Sequence, residues 1–234
     1  MKHLCLLFLL LTFYPAFAQK KSKKDKLITI HTSYGDMKAI LYAQTPLHKQ
    51  NFLKLVDEHF YDSLLFHRII QGFMIQGGDP NSKKAKPDER LGGGGGNMER
   101  IPAEFRPELF HKKGALAAAR DGNPEKKSSA CQFYIVQGKV YNDSELEVQL
   151  KRMAGTRMPT DVQRETYKTL GGTPHLDGNY TVFGQVISGL AVLDSIARQR
   201  KDGFDRPLKD IRMSMTVEKM KKKKITKQYG YRFE

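Results

Sequence analysis

Outside one interior stretch, residues 27–217 take a helical hydrophobic period in only two places. The rest reads as short strands separated by glycine and proline. Residues 27–32 and 35–41 alternate around a Ser33-Tyr34-Gly35 turn, and 60–70 and 73–76 are apolar and β-rich, broken by Gly72 and ended by Gly77-Gly78-Asp79-Pro80. Further strands are expected at 114–119, 132–136, 180–186 and 211–217. One helix follows Thr45-Pro46, an N-cap with proline at the first helical position, and places Leu47, Phe52, Leu55 and Val56 at helical spacing. The other is capped by Ser188 and lines Leu190, Leu193 and Ile196 on one face. This order is not the βαβα alternation of a doubly wound sheet. It suits a mainly β architecture, a closed antiparallel barrel with two helices packed on it.

The stretch 138–172 breaks the pattern. Ser144-Glu145-Leu146-Glu147 and Thr160-Asp161-Val162-Gln163 each match a capping box, and Gly155 and Gly171 can stop the helices that those boxes start. It reads as a helical hairpin inserted in a loop of the barrel, not as a domain of its own. The run of five glycines at 92–96 suits no regular element, lacks the Lys-Ser/Thr of a phosphate loop and reads as a flexible surface loop.

The first 18 residues have a basic start, an apolar run of about ten residues and a Pro15-Ala16-Phe17-Ala18 end, the pattern of a secretory signal peptide cleaved near Ala18. A membrane span would need about 20 apolar residues. An exported chain, periplasmic or secreted, is therefore expected, with a basic linker at 19–26 and Cys131 as its one remaining cysteine. The formal net charge of +15 is concentrated at the ends: +1 from Lys2, +4 at 19–26 and +6 at 219–234, which leaves +4 for 27–218. Such runs read first as solvated ends. They also admit a weak electrostatic contact with an anionic surface, and no specific nucleic-acid recognition is called for. The C-terminal Tyr229-Gly230-Tyr231-Arg232-Phe233 is aromatic enough to dock.

The sequence holds no His-Glu-x-x-His, Cys-x-x-Cys, Gly-x-Ser-x-Gly or Walker motif, and Cys131 reads as a buried, inert thiol. The unusual segment is Phe66-His67-Arg68-Ile69-Ile70-Gln71-Gly72-Phe73-Met74-Ile75-Gln76-Gly77-Gly78-Asp79, where an arginine and a glutamine lie among core-like residues. Burying an unpaired guanidinium costs several kcal/mol. The residues leave two readings open: an ion pair tying the barrel together, with Asp79 or Glu104, or an arginine on the floor of an open apolar groove beside Phe73 and Met74.

That segment resembles the signature of the cyclophilin-type peptidyl-prolyl cis–trans isomerases. The likeness continues at Ser129-Ala130-Cys131-Gln132-Phe133-Tyr134-Ile135 and at His175-Leu176-Asp177-Gly178-Asn179-Tyr180-Thr181-Val182-Phe183-Gly184. The three islands fall in order within 27–218. The resemblance implies an eight-stranded antiparallel barrel closed by two helices and an enzyme that accelerates rotation of X–Pro bonds during protein folding in the cell envelope. The alternative is a catalytically weak module of the same fold that holds proline-containing chains as a chaperone or scaffold. The implied partners are proline-containing segments of unfolded or exported proteins, engaged by a monomer.

No bond breaks in this reaction, so it demands no cofactor, metal or nucleophile. By resemblance Arg68 is the catalytic donor to the prolyl nitrogen, and Gln76 orients Arg68 or the substrate carbonyl. Gln132 holds backbone, and Phe73, Met74, Tyr134 and Leu176 line the slot for the proline ring. His175 stands where the family often carries Trp, which implies weak binding of cyclosporin. Tyr180 stands at a recurrent groove histidine, and Tyr134 replaces a phenylalanine. Ala117-Ala118-Ala119-Arg120 departs from the Met-Ala-Asn-Ala-like edge of the family.

Overall fold

The structure is a computed structural model that describes residues 22–87, 89–152 and 158–233. The expected leader with its cleavage point at Ala18, and Gly155, lie outside the described residues. The elements run β1 (Lys24–Thr32), β2 (Gly35–Leu41), α1 (Pro46–Asp57), β3 (Phe66–Ile70), β4 (Met74–Gly77), β5 (Ala115–Ala118) and β6 (Phe133–Val136). Then come α2 (Asp143–Lys151), α3 (Asp161–Thr169), β7 (Val182–Ser188), α4 (Leu190–Ala197), β8 (Met213–Lys221) and α5 (Lys222–Tyr229). Short 3-10 turns lie at Pro80–Lys84 and Pro174–Leu176.

The eight strands form one antiparallel sheet in the order β3-β4-β6-β5-β7-β2-β1-β8. The sheet curls until its two end strands meet, but only at a corner. Leu65 and Arg212 form an isolated bridge, flanked by Phe66 N–H donating to the Ile211 carbonyl at 2.9 Å and Met213 N–H donating to the Leu64 carbonyl at 2.8 Å. The expected closed barrel is thus a curled half-barrel. β8 pairs with β1 along all nine of its residues, whereas its contact with the start of β3 is confined to residues 211–213.

Alternation sorts the strand residues as the pleat requires. Ile69, Ile75, Ile135 and Leu116 point inward with Phe52, Phe66 and Phe133, and α1 and α4 cover the open sides of this core. There are five α-helices among the described residues, not two plus a hairpin. α1 begins at Pro46 as expected, yet Thr45 makes no side-chain cap. Its free amides at Leu47 and His48 donate instead to the carboxylate of Glu104, at 3.1 and 3.0 Å. Ser188 stays in β7, and the cap of α4 is Gly189 at φ 90°, a left-handed turn that brings its backbone against Asp36.

The insertion is the expected pair of helices. The α2 box is Asn142 with Glu145, two residues before the expected Ser144, and the α3 box is Thr160 with Gln163. Tyr141, Leu146, Leu150 and Tyr167 form its small core, with Phe110 packed against it. The basic C-terminal run is not a solvated end. α5 buries Ile225 against Leu27, Ile40 and Met220, with Tyr229, Tyr231 and Phe233 beside them. Of the 19–26 run, Lys24, Asp25 and Lys26 belong to β1.

Candidate active site

The position of Arg68 depends on one extra residue. Phe66 pairs with Gly77 and Arg68 with Gln76, so two steps along β3 match one along β4 and His67 is bulged. Without the bulge, Phe66 and Arg68 would share a face, and Phe66 is in the core. The bulge turns Arg68 onto the outer face, as such irregularities do at sheet edges. Register then extends the row: Arg68 opposite Gln76, Gln76 opposite Tyr134, Tyr134 opposite Ala117. Neighbouring strands are about 4.8 Å apart, so the row sets these side chains next to one another on one surface.

On that surface lies a cavity of about 120 Å³ lined by Arg68, Phe73, Met74, Gln76, Tyr134 and Leu176, together with Tyr180, Ala119 and Arg120. Seven of the nine expected site residues therefore meet in one slot. The other two do not line it. Gln132 lines the adjoining cavity under the glycine loop, because β6 starts only at Phe133 and the preceding residue is drawn toward that loop. His175 stacks on Phe73 with ring centroids 5.8 Å apart, so it backs the slot wall. Burial pushes the His175 pKa down, helped by the nearby His111.

The Arg68 side chain is 41% exposed; its Nε lies 3.4 Å from the Asp205 carboxylate, an acid that Lys201 also contacts. Neither Asp79 nor Glu104 holds it; its one ion pair among the described residues is the partly exposed one with Asp205. Among the described residues, no protein group takes a hydrogen bond from its two terminal nitrogens. Its pair with Asp205 lies at the surface and is worth about 0–1 kcal/mol.

One wall of the slot is fixed through Gln76. Its Nε2 donates to Gln132 Oε1 at 3.1 Å, and Gln132 Nε2 donates to the carbonyls of Gly92 and Gly94 at 3.0 and 2.9 Å. The carboxylate of Asp79, fully buried, accepts from the amides of Gly92 (2.5 Å), Gly94 (3.3 Å) and Asn81 (2.8 Å). A Cβ on Gly94 would collide with Asp79. The five-glycine run is therefore a pinned loop, not a free one. Cys131 lies buried beneath it, and burial pushes its thiol pKa up.

The opposite wall is fixed by residues that the sequence did not mark. Tyr134 is 5% exposed, and its hydroxyl lies 2.9 Å from Nε2 of the buried His111. Asp177 accepts from the His111 amide at 2.9 Å, lies 2.7 Å from His111 Nδ1, and accepts from the Tyr167 hydroxyl of α3 at 2.5 Å. A carboxylate only accepts, so Nδ1 carries the ring hydrogen, and in the neutral ring Nε2 accepts from Tyr134. Burial raises the Tyr134 pKa well above its ordinary value, which keeps the hydroxyl protonated. Arg120 was also unmarked. Its guanidinium lies 4.7 Å from the Tyr180 ring centroid and donates to the Asn179 and Asp121 carbonyls.

The family model for the cyclophilin-type peptidyl-prolyl cis-trans isomerases matches residues 27–218. A protein of Staphylococcus haemolyticus, provisionally named a peptidyl-prolyl cis-trans isomerase, is 32% identical over 202 residues, which covers 86% of this chain and 95% of that one. A protein of Streptococcus pyogenes, provisionally named a bifunctional phosphatase/peptidyl-prolyl cis-trans isomerase, is 37% identical over 187 residues; the match covers 79% of this chain and 37% of that longer one. Among solved structures, a cyclophilin-type isomerase of Cryptosporidium parvum is similar with a TM-score of 0.62 and 26% identity, covering 83% of this chain and 98% of that one. A second structure of it, in the presence of the dipeptide Ala-Pro, gives a TM-score of 0.58 at 25% identity, covering 82% and 98%.

Proposed function

The chain belongs to the cyclophilin-type peptidyl-prolyl cis-trans isomerases, and we propose that it turns X–Pro bonds with Arg68 as the donor to the rotating imide nitrogen. The observation that carries this reading is the exposed guanidinium beside an apolar slot, held by one surface carboxylate and with its terminal nitrogens uncommitted.

The uncatalysed rotation faces a barrier of about 18–20 kcal/mol and takes about 10–100 s. Twisting uncouples the nitrogen lone pair from the carbonyl, so the nitrogen accepts a hydrogen bond better in the transition state than in the ground state. A donor fixed there lowers the barrier selectively. One such donor is worth about 2.7–4 kcal/mol, and moving from tens of seconds to milliseconds takes about 5.5 kcal/mol at 1.36 per tenfold. The slot supplies the remainder by gripping the proline ring among Phe73, Met74, Tyr134 and Leu176 and excluding water. Gln76, locked by Gln132, orients the substrate carbonyl. Its bond runs to Gln132, so orientation of Arg68 falls to Asp205.

The basic, apolar N-terminal sequence supports action on exported or unfolded proteins in the cell envelope. Lysines at 222, 223, 224 and 227 on the docked α5 support weak attraction to anionic surfaces, now as a folded basic helix. His175 in the family's tryptophan position supports weak cyclosporin binding; inhibition at nanomolar concentration would overturn that point.

NMR exchange on a short Ala-Pro peptide tests the reading. The wild-type protein is expected to accelerate exchange and Arg68→Ala to lose at least about a hundredfold. Equal rates for the two proteins would leave a proline-binding module without catalysis.

A further inference from the structure

A second recess adjoins the slot, and the insertion builds one side of it. It has a volume of about 150 Å³ and is lined by Leu109, Phe110 and Tyr180 from the barrel side and by Met158, Pro159 and Gln163 from the insertion. Tyr180 lines both this recess and the slot, so one aromatic ring separates them. Two polar ties set the insertion against the barrel here. Gln163 Nε2 donates to the Pro107 carbonyl at 2.7 Å, and the Tyr167 hydroxyl donates to Asp177.

The lining selects apolar groups. Asp177 is its one carboxylate and already accepts three hydrogen bonds. Arg106 is its one cation and donates from Nε to the Gln44 carbonyl. A basic side chain entering here would lose water and meet a carboxylate whose hydrogen bonds are already taken, whereas an aliphatic or aromatic one would gain contact on several sides. Exposed apolar residues also concentrate on the insertion. Five of the eight large ones among the described residues are Val140, Val148, Met158, Val162 and Leu170, and Met158 stands at the recess, 54% exposed.

We propose that this recess is a substrate subsite: it takes one large aliphatic or aromatic side chain of the same peptide whose proline occupies the slot, and the insertion is thereby a specificity element. The occupant follows from continuity. An extended chain advances about 3.3–3.6 Å per residue, so a residue one or two positions from the proline reaches across the Tyr180 ring. The proposal rests on the isomerase reading above and deepens it.

The test is an NMR exchange series on proline peptides in which a Leu or Phe is moved through the two positions on either side of the proline, each compared with Ala and Lys. At one position the large apolar residue is expected to raise kcat/KM about tenfold over Lys. Met158→Glu, a change at an exposed side chain, is expected to bring that ratio close to one, with Met158→Ala between. A ratio near one at all four positions in the wild-type protein overturns the subsite and leaves the isomerase reading standing, as does a ratio that Met158→Glu leaves intact. Acceleration of no peptide overturns both.

Discussion

The two walls of the slot end on buried or half-buried carboxylates, and they differ in what the carboxylate holds. On one side Asp79 gathers backbone amides of the glycine loop, and Gln132 passes that order to Gln76. On the other Asp177 gathers side chains, His111 and Tyr167, and passes order to Tyr134. Between them Arg68 is tied, among the described residues, only at Nε, by a partly exposed acid. A rotating amide needs a shaped slot and a donor with free hydrogens, and the structure divides those tasks. The walls are held by internal hydrogen bonds, and among the described residues the donor is left with its terminal nitrogens open.

The division is broken most directly at the donor. Arg68→Ala is expected to lower kcat/KM by about a hundredfold to a thousandfold, from about 2.7–4 kcal/mol of lost transition-state stabilisation. Its thermal stability is expected to fall by less than about 1 kcal/mol, the worth of the surface pair with Asp205. A loss of stability as large as the loss of activity would show Arg68 to be part of a wall. Asp79→Ala is the converse. It strands three amides, two of them in the glycine loop, and should cost about 3 kcal/mol in urea denaturation. Activity should fall only as far as Gln76 loses its anchor.

Most of the sheet was legible because its face selection follows alternation: Ile69, Ile75 and Ile135 inward, Gln76 and Tyr134 outward. What hid the rest was separation or an uninformative pattern. The bulge at His67 sits in an apolar run, 60–70, where one added residue leaves no periodic signature, so the residues could not say whether Arg68 faced core or groove. Asp177 and His111 lie 66 positions apart, and the cap of α1 by Glu104 spans 56 or 57. α5 was masked by its lysines, since a single buried residue, Ile225, docks it. In each case the missing term was a tertiary partner that no local window contains.

Acid should loosen the glycine-loop side. His67 is buried beneath Gly92 with neither ring nitrogen in a hydrogen bond of ordinary geometry, and burial lowers its pKa to about 4, with Asp79 opposing and Arg68 and Arg206 reinforcing. In the unfolded chain the value is about 6.5. Between those values the unfolded state binds more protons. Stability is therefore full above about pH 6.5, is lost as pH falls toward 4, and totals about 3 kcal/mol. His48 and His175, also lowered by burial, act in the same direction. Urea midpoints from pH 7 to 4 should fall steeply in the wild-type protein and less steeply in His67→Phe, which leaves no orphaned partner. An unchanged slope in the variant would remove His67 from this account.

The smallest effect belongs to the tyrosine wall. Tyr134→Phe keeps the ring that lines the slot and removes the donor to His111 Nε2, so it should cost about 1 kcal/mol of stability and leave kcat/KM within a few-fold of wild type. Tyr167→Phe removes one of three bonds to Asp177 and should cost a similar amount. The two changes sit on one chain of hydrogen bonds, Tyr134–His111–Asp177–Tyr167. Their double mutant should therefore be less destabilised than the sum of the singles, with a coupling of about 0.5 kcal/mol or more. Strict additivity would mean that the insertion and the slot wall are held independently. A hundredfold loss of activity in Tyr134→Phe would instead show that its hydroxyl acts on the substrate, and the separation of wall from donor would fail at that residue.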